Sequence, residues 1–225
     1  MGVKKKVVAI VGNSGSGKTT IGTTMAALDP EWYNWVCSYT TRPMRQNEVN
    51  GYEHIFVTED DMPSKDKMVA YANFGGYHYW TTFEQFDNDK FNVYIIDEDA
   101  LDEMIKKHSD VFDIKKIYIE RKSMSGIEKE RIERDKTRTV FPEGFYDLYI
   151  INDAPSSPEF VSSGKKIIDD FLMDEVKCSR SLLVSNIMHL VNNFDCLNET
   201  DINEAIEYAE KGKSIETNTY YACNK

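Results

Sequence analysis

Residues 12–19 read GNSGSGKT, preceded by the apolar run VVAIV at 7–11 and followed by a helix-like stretch from Thr19. This is G-x-x-x-x-G-K-[ST] in a strand–loop–helix setting, and its reading decides the fold. Glycines let the backbone wrap closely round a polyphosphate, so that successive N–H groups point at its oxygens. The start of the next helix adds the positive end of its dipole to the same anion site. Gly12, Asn13, Ser14, Gly15, Ser16, Gly17, Lys18, Thr19 and Thr20 are therefore the candidate triphosphate cradle. Lys18 is placed to neutralise the β- and γ-phosphates, and the Thr19 hydroxyl to hold Mg²⁺.

A chain of 225 residues is long enough for one well-packed α/β domain, or for a domain with an appendage. Hydrophobic residues at 41% and aromatics at 12% are ordinary for a packed core. No apolar run approaches the ~20 residues that span a bilayer. The basic start at 1–6 leads into the first strand and is no export signal, which predicts a cytoplasmic protein. The net charge of −11 argues against a nucleic-acid polymer as partner, because the phosphates of a polymer would be repelled. Single nucleotides remain open, since a local arginine captures one phosphate within an acidic whole. The four cysteines show no C-x-x-C spacing and read as reduced thiols. The four histidines are too scattered to suggest a zinc site.

Further apolar runs at 35–37, 93–96, 117–119 and 148–151 alternate with helix-like segments at 19–28, 99–107 and 124–136. Such alternation predicts a parallel sheet with right-handed crossovers. The residues that end these runs are Gly12, Ser38, Asp97 and Asn152, and ligands of open α/β sheets bind at strand carboxyl ends. Residues 39–92 are too many for a simple crossover. Aromatic, alternating pieces at 54–57, 69–74 and 78–82 predict a small inserted antiparallel sheet. Beyond Pro158, residues 175–194 and 201–212 carry helical periodicity, so the tail is predicted to be a packed helical extension.

Residues 38–51 read SYTTRPMRQNEVNG. Arg42 and Arg45 flank Pro43, which stiffens the loop, and guanidinium groups grip phosphate bidentately as lysine cannot. Two close arginines in an acidic chain predict a second site, for the phosphate of an acceptor.

The same stretch, followed by HIFV at 54–57, strongly resembles the acceptor loop of guanylate kinases. FGGYHYWTT at 74–82, IIDEDAL at 95–101 and FYDLYIINDAP at 145–155 resemble later blocks of that family, in family order, over residues 3–155. The resemblance implies an α/β P-loop NTPase fold: a five-stranded parallel sheet with helices on both faces, an acceptor-binding insert at 38–92 and a lid at 121–144. It places the kinase-like domain at 1–158; the remaining 159–225, a helical extension by its own periodicity, is longer than most such kinases carry and is expected to form a dimer surface or to cover the core. The implied reaction is transfer of the ATP γ-phosphoryl to GMP or dGMP with Mg²⁺. Ser38, Arg42, Arg45 and Tyr79 would then hold the acceptor phosphate, with Thr81 and Asp99 facing guanine and Asp97 near the metal or its waters. Arg131 and Arg134 would act from the lid on transition-state charge beside Lys18, with Arg138 a third candidate. The alternative for these arginines is ion pairing with Glu128, Glu130 and Glu133 on a helix surface. Phosphoryl transfer requires alignment and charge neutralisation, so no general base is sought.

The chain departs from the family pattern at several points. His54 stands in place of a phosphate-binding tyrosine, where imidazole can still donate a hydrogen bond. Ala70 replaces a glutamate that accepts from guanine N1 and N2, and Trp80 replaces a glycine. The lid is short. These changes motivate the rival expectation of a different or broader base preference. A non-catalytic binding module of the same family is disfavoured by the intact phosphate loop. A P-loop motor or GTPase would leave the acceptor-loop arginines without a purpose, and a kinase for a phosphorylated sugar would use both phosphate sites without a base.

Overall fold

The computed structural model describes residues 3–46, 48–123, 125–152 and 158–173, without the side chains of Arg134 and Glu143. The chain divides into two compact units, residues 1–165 and 166–225, and of the second only 166–173 are described, as helix. The predicted helices at 175–194 and 201–212 lie outside the described residues.

Strand β1 (Lys5–Val11) runs through the middle of the first unit, and Val7, Val8, Ala9, Ile10 and Val11 are all fully buried. Continuous apolarity of this kind suits a strand covered on both faces. On one side it pairs with β7 (Phe91–Ile95), which pairs with β2 (Tyr33–Val36). On the other it pairs with β8 (Phe112–Glu120), which pairs with β9 (Leu148–Ile151). All four pairings are parallel, giving the predicted five-stranded sheet in the order β2-β7-β1-β8-β9.

Helix α1 (Lys18–Leu28) packs on one face, with Gly22 so close that an added Cβ would lie 3.2 Å from Val93. Val93 is aligned with Val8, so α1 covers the even-numbered side of β1. Helix α2 (Glu98–His108) buries Ala100, Leu101 and Met104 in one cluster with Val7, Ala9 and Val11, the odd-numbered side. Side chains alternate across a strand, which puts the two helices on opposite faces. Asp97 caps α2 by accepting from the Ala100 N–H at 3.0 Å, and Glu98 and Asp99 in its first turn suit the positive end of the dipole.

The insert forms a separate sheet from β3 (Tyr39–Thr40), β4 (Ile55–Phe56), β5 (Met68–Phe74) and β6 (Tyr77–Thr82), in the order β4-β3-β6-β5. Its β3–β6 and β5–β6 pairs are antiparallel as predicted, but β3 and β4 run parallel, so the sheet is mixed. The intervening loop at 41–54 explains the difference. A parallel return needs a connection of about a dozen residues or more, and this loop supplies it.

Two element lengths also differ from expectation. Strand β8 extends well before the predicted run at 117–119, because Lys115 and Lys116 interrupt its apolar signal; Lys116 instead pairs with Asp147 at 2.9 Å. Helix α3 (Lys129–Asp135) starts later than 124, since Gly126 at φ +77° turns the chain out of helix just before it. A further helix, α4, covers 158–173. Among the described residues no helix is long and apolar enough to cross a membrane.

Candidate active site

The loop between β1 and α1 is held by close contacts that only glycine permits. Gly12 has φ +146°, and an added Cβ would lie 2.1 Å from the Ile119 carbonyl oxygen of β8. A Cβ on Gly15, at φ +70°, would strike Ile127 at 2.3 Å. Asn152, fully buried at the end of β9, donates through Nδ2 to the Ser16 carbonyl at 2.7 Å. Asn13 exchanges two bonds with the Arg121 backbone, at 2.8 and 2.9 Å, tying the loop to the end of β8. The ends of β1, β8 and β9 thus converge on the loop, as expected for a ligand crevice.

Lys18 turns back over this loop, and its Nζ donates to the carbonyl oxygens of Gly12 and Asn13, each at 2.7 Å. Loss of water around the ammonium, and then the charge of Arg138, lower its pKa to about 7. Three groups from the predicted lid reach the same place. Asp135 accepts from the Ser14 N–H at 2.6 Å and the Ser14 hydroxyl at 2.9 Å. Arg138 donates from Nη1 to the Gly12 carbonyl at 2.8 Å, and Arg131 lies near enough for its charge to act on Lys18. The Nε of Arg131 is buried and has no hydrogen-bond partner among the described residues. The Arg134 side chain lies outside them. Arg138, third among the lid candidates in sequence, is hydrogen-bonded to the loop, as is Arg121 at the start of the lid segment, whose Nη1 donates to the Gly15 carbonyl at 3.2 Å.

The residues of the second predicted phosphate site also come together. Arg42 is buried and holds Glu48 through two bonds, Nη1 to Oε2 at 2.9 Å and Nη2 to Oε1 at 2.8 Å. The Arg45 N–H donates to the same carboxylate at 2.8 Å, and its guanidinium lies 3.5 Å away. Ser38 Oγ lies 2.8 Å from His54 Nδ1, and the His54 ring meets the Tyr79 ring edge-on at 5.5 Å between centroids. Burial, with Arg42 beside it, holds the His54 pKa down at about 4, so the imidazole is neutral near neutral pH. Tyr79 in turn stands close enough to Arg42 to act on its charge.

The predicted base-recognition residues sit differently. Thr81 is fully buried and donates to the Tyr94 hydroxyl at 3.5 Å. Ala70, aligned with Thr81 across the β5–β6 pair, is buried in the apolar cluster that includes Ala100, Leu101 and Met104. Trp80 is 2% exposed and stacks on Tyr39 at 5.5 Å between ring centroids, so the ring is sheet packing. Asp99 is exposed in the first turn of α2. Burial raises the pKa of its neighbour Asp97.

For Mg²⁺, Thr19 and Asp97 offer hard oxygen donors beside the loop. Among the described residues no three His, Cys, Asp or Glu side chains cluster in a way that could hold a metal. Mg²⁺ usually takes one or two protein oxygens and completes its shell with water and substrate phosphates. Sequence reading gave no role to Glu98, Asp135 or Glu48. Glu48, three residues after Arg45, carried a usable spacing signal; the other two are joined to their partners only by the fold.

The chain resembles known proteins in sequence and in fold. A family model described as guanylate kinase matches residues 4–143. The guanylate kinase of Mesoplasma florum is 27% identical over 205 residues, covering 84% of this chain and 67% of that protein. That of Bacillus subtilis is 23% identical over 226 residues, covering 97% of this chain and 84% of that one. A solved structure of guanylate kinase from Anaplasma phagocytophilum has the same fold, with a TM-score of 0.54 at 16% identity over 78% of this chain and 88% of that chain.

Proposed function

The chain belongs to the guanylate kinase family, and from that premise we propose that it transfers the γ-phosphoryl group of ATP to GMP or dGMP, giving GDP or dGDP. The observation that carries this reading is the bidentate hold of Arg42 on Glu48, a planar oxyanion gripped as a phosphate would be. A chain with a phosphate loop and a second, arginine-built oxyanion site is equipped for transfer between two phosphates.

In this reading residues 12–20 cradle the triphosphate of ATP, while Ser38, Arg42, Arg45, His54 and Tyr79 hold the acceptor phosphate. The bond from Pγ to the β–γ bridging oxygen breaks as an acceptor phosphate oxygen bonds to Pγ, and ADP leaves. Lys18 and the lid arginines Arg131, Arg134 and Arg138 neutralise charge spreading over the γ-oxygens. Thr19 and, through water, Asp97 would hold Mg²⁺, which when bound supplies charge neutralisation between the β- and γ-phosphates. The insert at 38–92 and the lid at 121–144 act as the two closing parts, excluding water that would otherwise accept the phosphoryl group.

A second reading keeps the chemistry and broadens the base. It rests on Ala70, which is buried in an apolar cluster and supplies no carboxylate where the family pattern has the glutamate that accepts from guanine N1 and N2. ADP formation with Mg²⁺ and a panel of ribo- and deoxynucleoside monophosphates tests both. A preference for GMP and dGMP of about tenfold or more supports guanine recognition, since unmet hydrogen bonds carry that penalty. Equal rates across bases support the broader acceptor. No acceptor-dependent ADP would return the chain to the class of binding modules.

A further inference from the structure

Arg138 reaches the phosphate loop because a carboxylate from another element holds it there. Its Nε and Nη2 donate to one oxygen of Glu98, Oε2, at 2.8 and 2.6 Å. Its Nη1 donates to the Gly12 carbonyl at 2.8 Å. A guanidinium has five N–H donors in a rigid fork, so these three bonds fix its plane and leave one N–H on each terminal nitrogen.

Glu98 is 5% exposed, and the Arg138 side chain 14%. A carboxylate taken this far out of water is costly unless it is paired. Glu98 has two sources of support: the guanidinium, and the N-terminal turn of α2, whose dipole favours negative charge. Helix α2 is packed against the sheet through Ala100, Leu101 and Met104, so the carboxylate rides on a rigid element. Arg138 lies beyond α3 in the lid segment. The pair therefore ties that segment to the scaffold beside Lys18.

We infer that Glu98 is a positioning residue for phosphoryl transfer, holding the Arg138 guanidinium against the phosphate loop in advance of the reaction. The inference rests on the kinase reading above. An arginine already oriented meets developing charge on the transferred group without reorganising, which acts on the transition state more than on either bound substrate.

The test compares Glu98→Gln, Arg138→Ala and the double variant in steady-state ADP formation. Glutamine keeps the length and one acceptor oxygen but loses the charge. Glu98→Gln is expected to lower kcat by about 10- to 100-fold, as for other residues that orient a catalytic group, and to leave both KM values within about twofold. In the Arg138→Ala background the same change has no further effect. Added guanidinium ion partly restores the Arg138→Ala rate and fails to restore the double variant, a readout that a merely structural ion pair would not move. Should Glu98→Gln melt below the assay temperature, Glu98→Asp replaces it: the charge stays but the reach is short, and kcat falls at unchanged KM. Wild-type kcat in the Glu98 variants beside a slow Arg138→Ala, or fully additive losses, would overturn this inference alone. A wild-type chain without acceptor-dependent ADP formation overturns the kinase reading and this inference with it.

Discussion

The two anion sites of this chain are built from different material. The phosphate loop offers backbone, packed so tightly against β8 that Gly12 cannot take a side chain. The acceptor loop offers side chains, with Arg42, Ser38 and His54 arranged around Glu48 and Tyr79. Each site already holds a carboxylate of the protein: Asp135 on Ser14, and Glu48 on Arg42. Glu48 comes from six residues away, Asp135 from 121. A local site of side chains is specified by spacing, whereas a backbone site is specified by glycine and completed only when distant elements fold onto it.

The sharpest way to break that contrast is to put the same methyl group in both places. Gly12 and Gly51 both have positive φ, at +146° and +84°, but a Cβ on Gly51 meets nothing within 4 Å. Gly51→Ala is expected to cost about 1–2 kcal/mol, the left-handed backbone penalty alone. Gly12→Ala adds a clash with the Ile119 carbonyl, and its cost is expected to exceed about 3 kcal/mol with loss of measurable ATP binding. Thermal unfolding with ATP titration reads both. Equal costs would show that the loop yields easily and that its glycines are not fixed by packing.

Next in size is Arg42→Lys. An ammonium cannot reproduce the two parallel bonds now made to Glu48, so the KM of the acceptor nucleotide is expected to rise about 10- to 100-fold. The KM for ATP should stay within about twofold, because Arg42 takes no part in the loop at 12–19. A parallel rise in both would mean that the two sites are one.

What was legible in the sequence follows the same divide. The central strand showed itself through unbroken apolarity at 7–11, and the loop through its glycines; both are local signals. The arginines at 42 and 45 were legible because their partners lie within the same short segment. Arg138 was legible as a third lid candidate, but its pairing with Glu98 was not, because at 40 residues apart nothing in the string says that one holds the other. Strand β8 was read short for a related reason: Lys116 looks like a loop residue until Asp147 is brought beside it. The meaning of Ala70 depended on tertiary packing too, since only the fold shows it inside an apolar cluster shared with α2.

The smallest expected effect is a difference in proton uptake. Burial and Arg138 hold Lys18 at a pKa of about 7, well below an ordinary lysine, so near pH 8 it is mostly neutral in the free protein. A polyphosphate in the loop favours the ammonium and raises that pKa. ATP binding near pH 8 is therefore expected to take up about one proton, and progressively less as the pH falls through 7 and Lys18 is already charged. His54 behaves oppositely in range. Held at about 4, it stays neutral at pH 8 even if an acceptor phosphate restores its ordinary value near 6.5. Acceptor binding should take up little at pH 8 and most of a proton between about pH 5 and 6, removed by His54→Asn. Calorimetry in buffers of different ionisation enthalpy reads both quantities directly. Equal uptake for the two nucleotides at pH 8 would mean that the backbone-built site is no more effective than the side-chain site at stripping water from its cation.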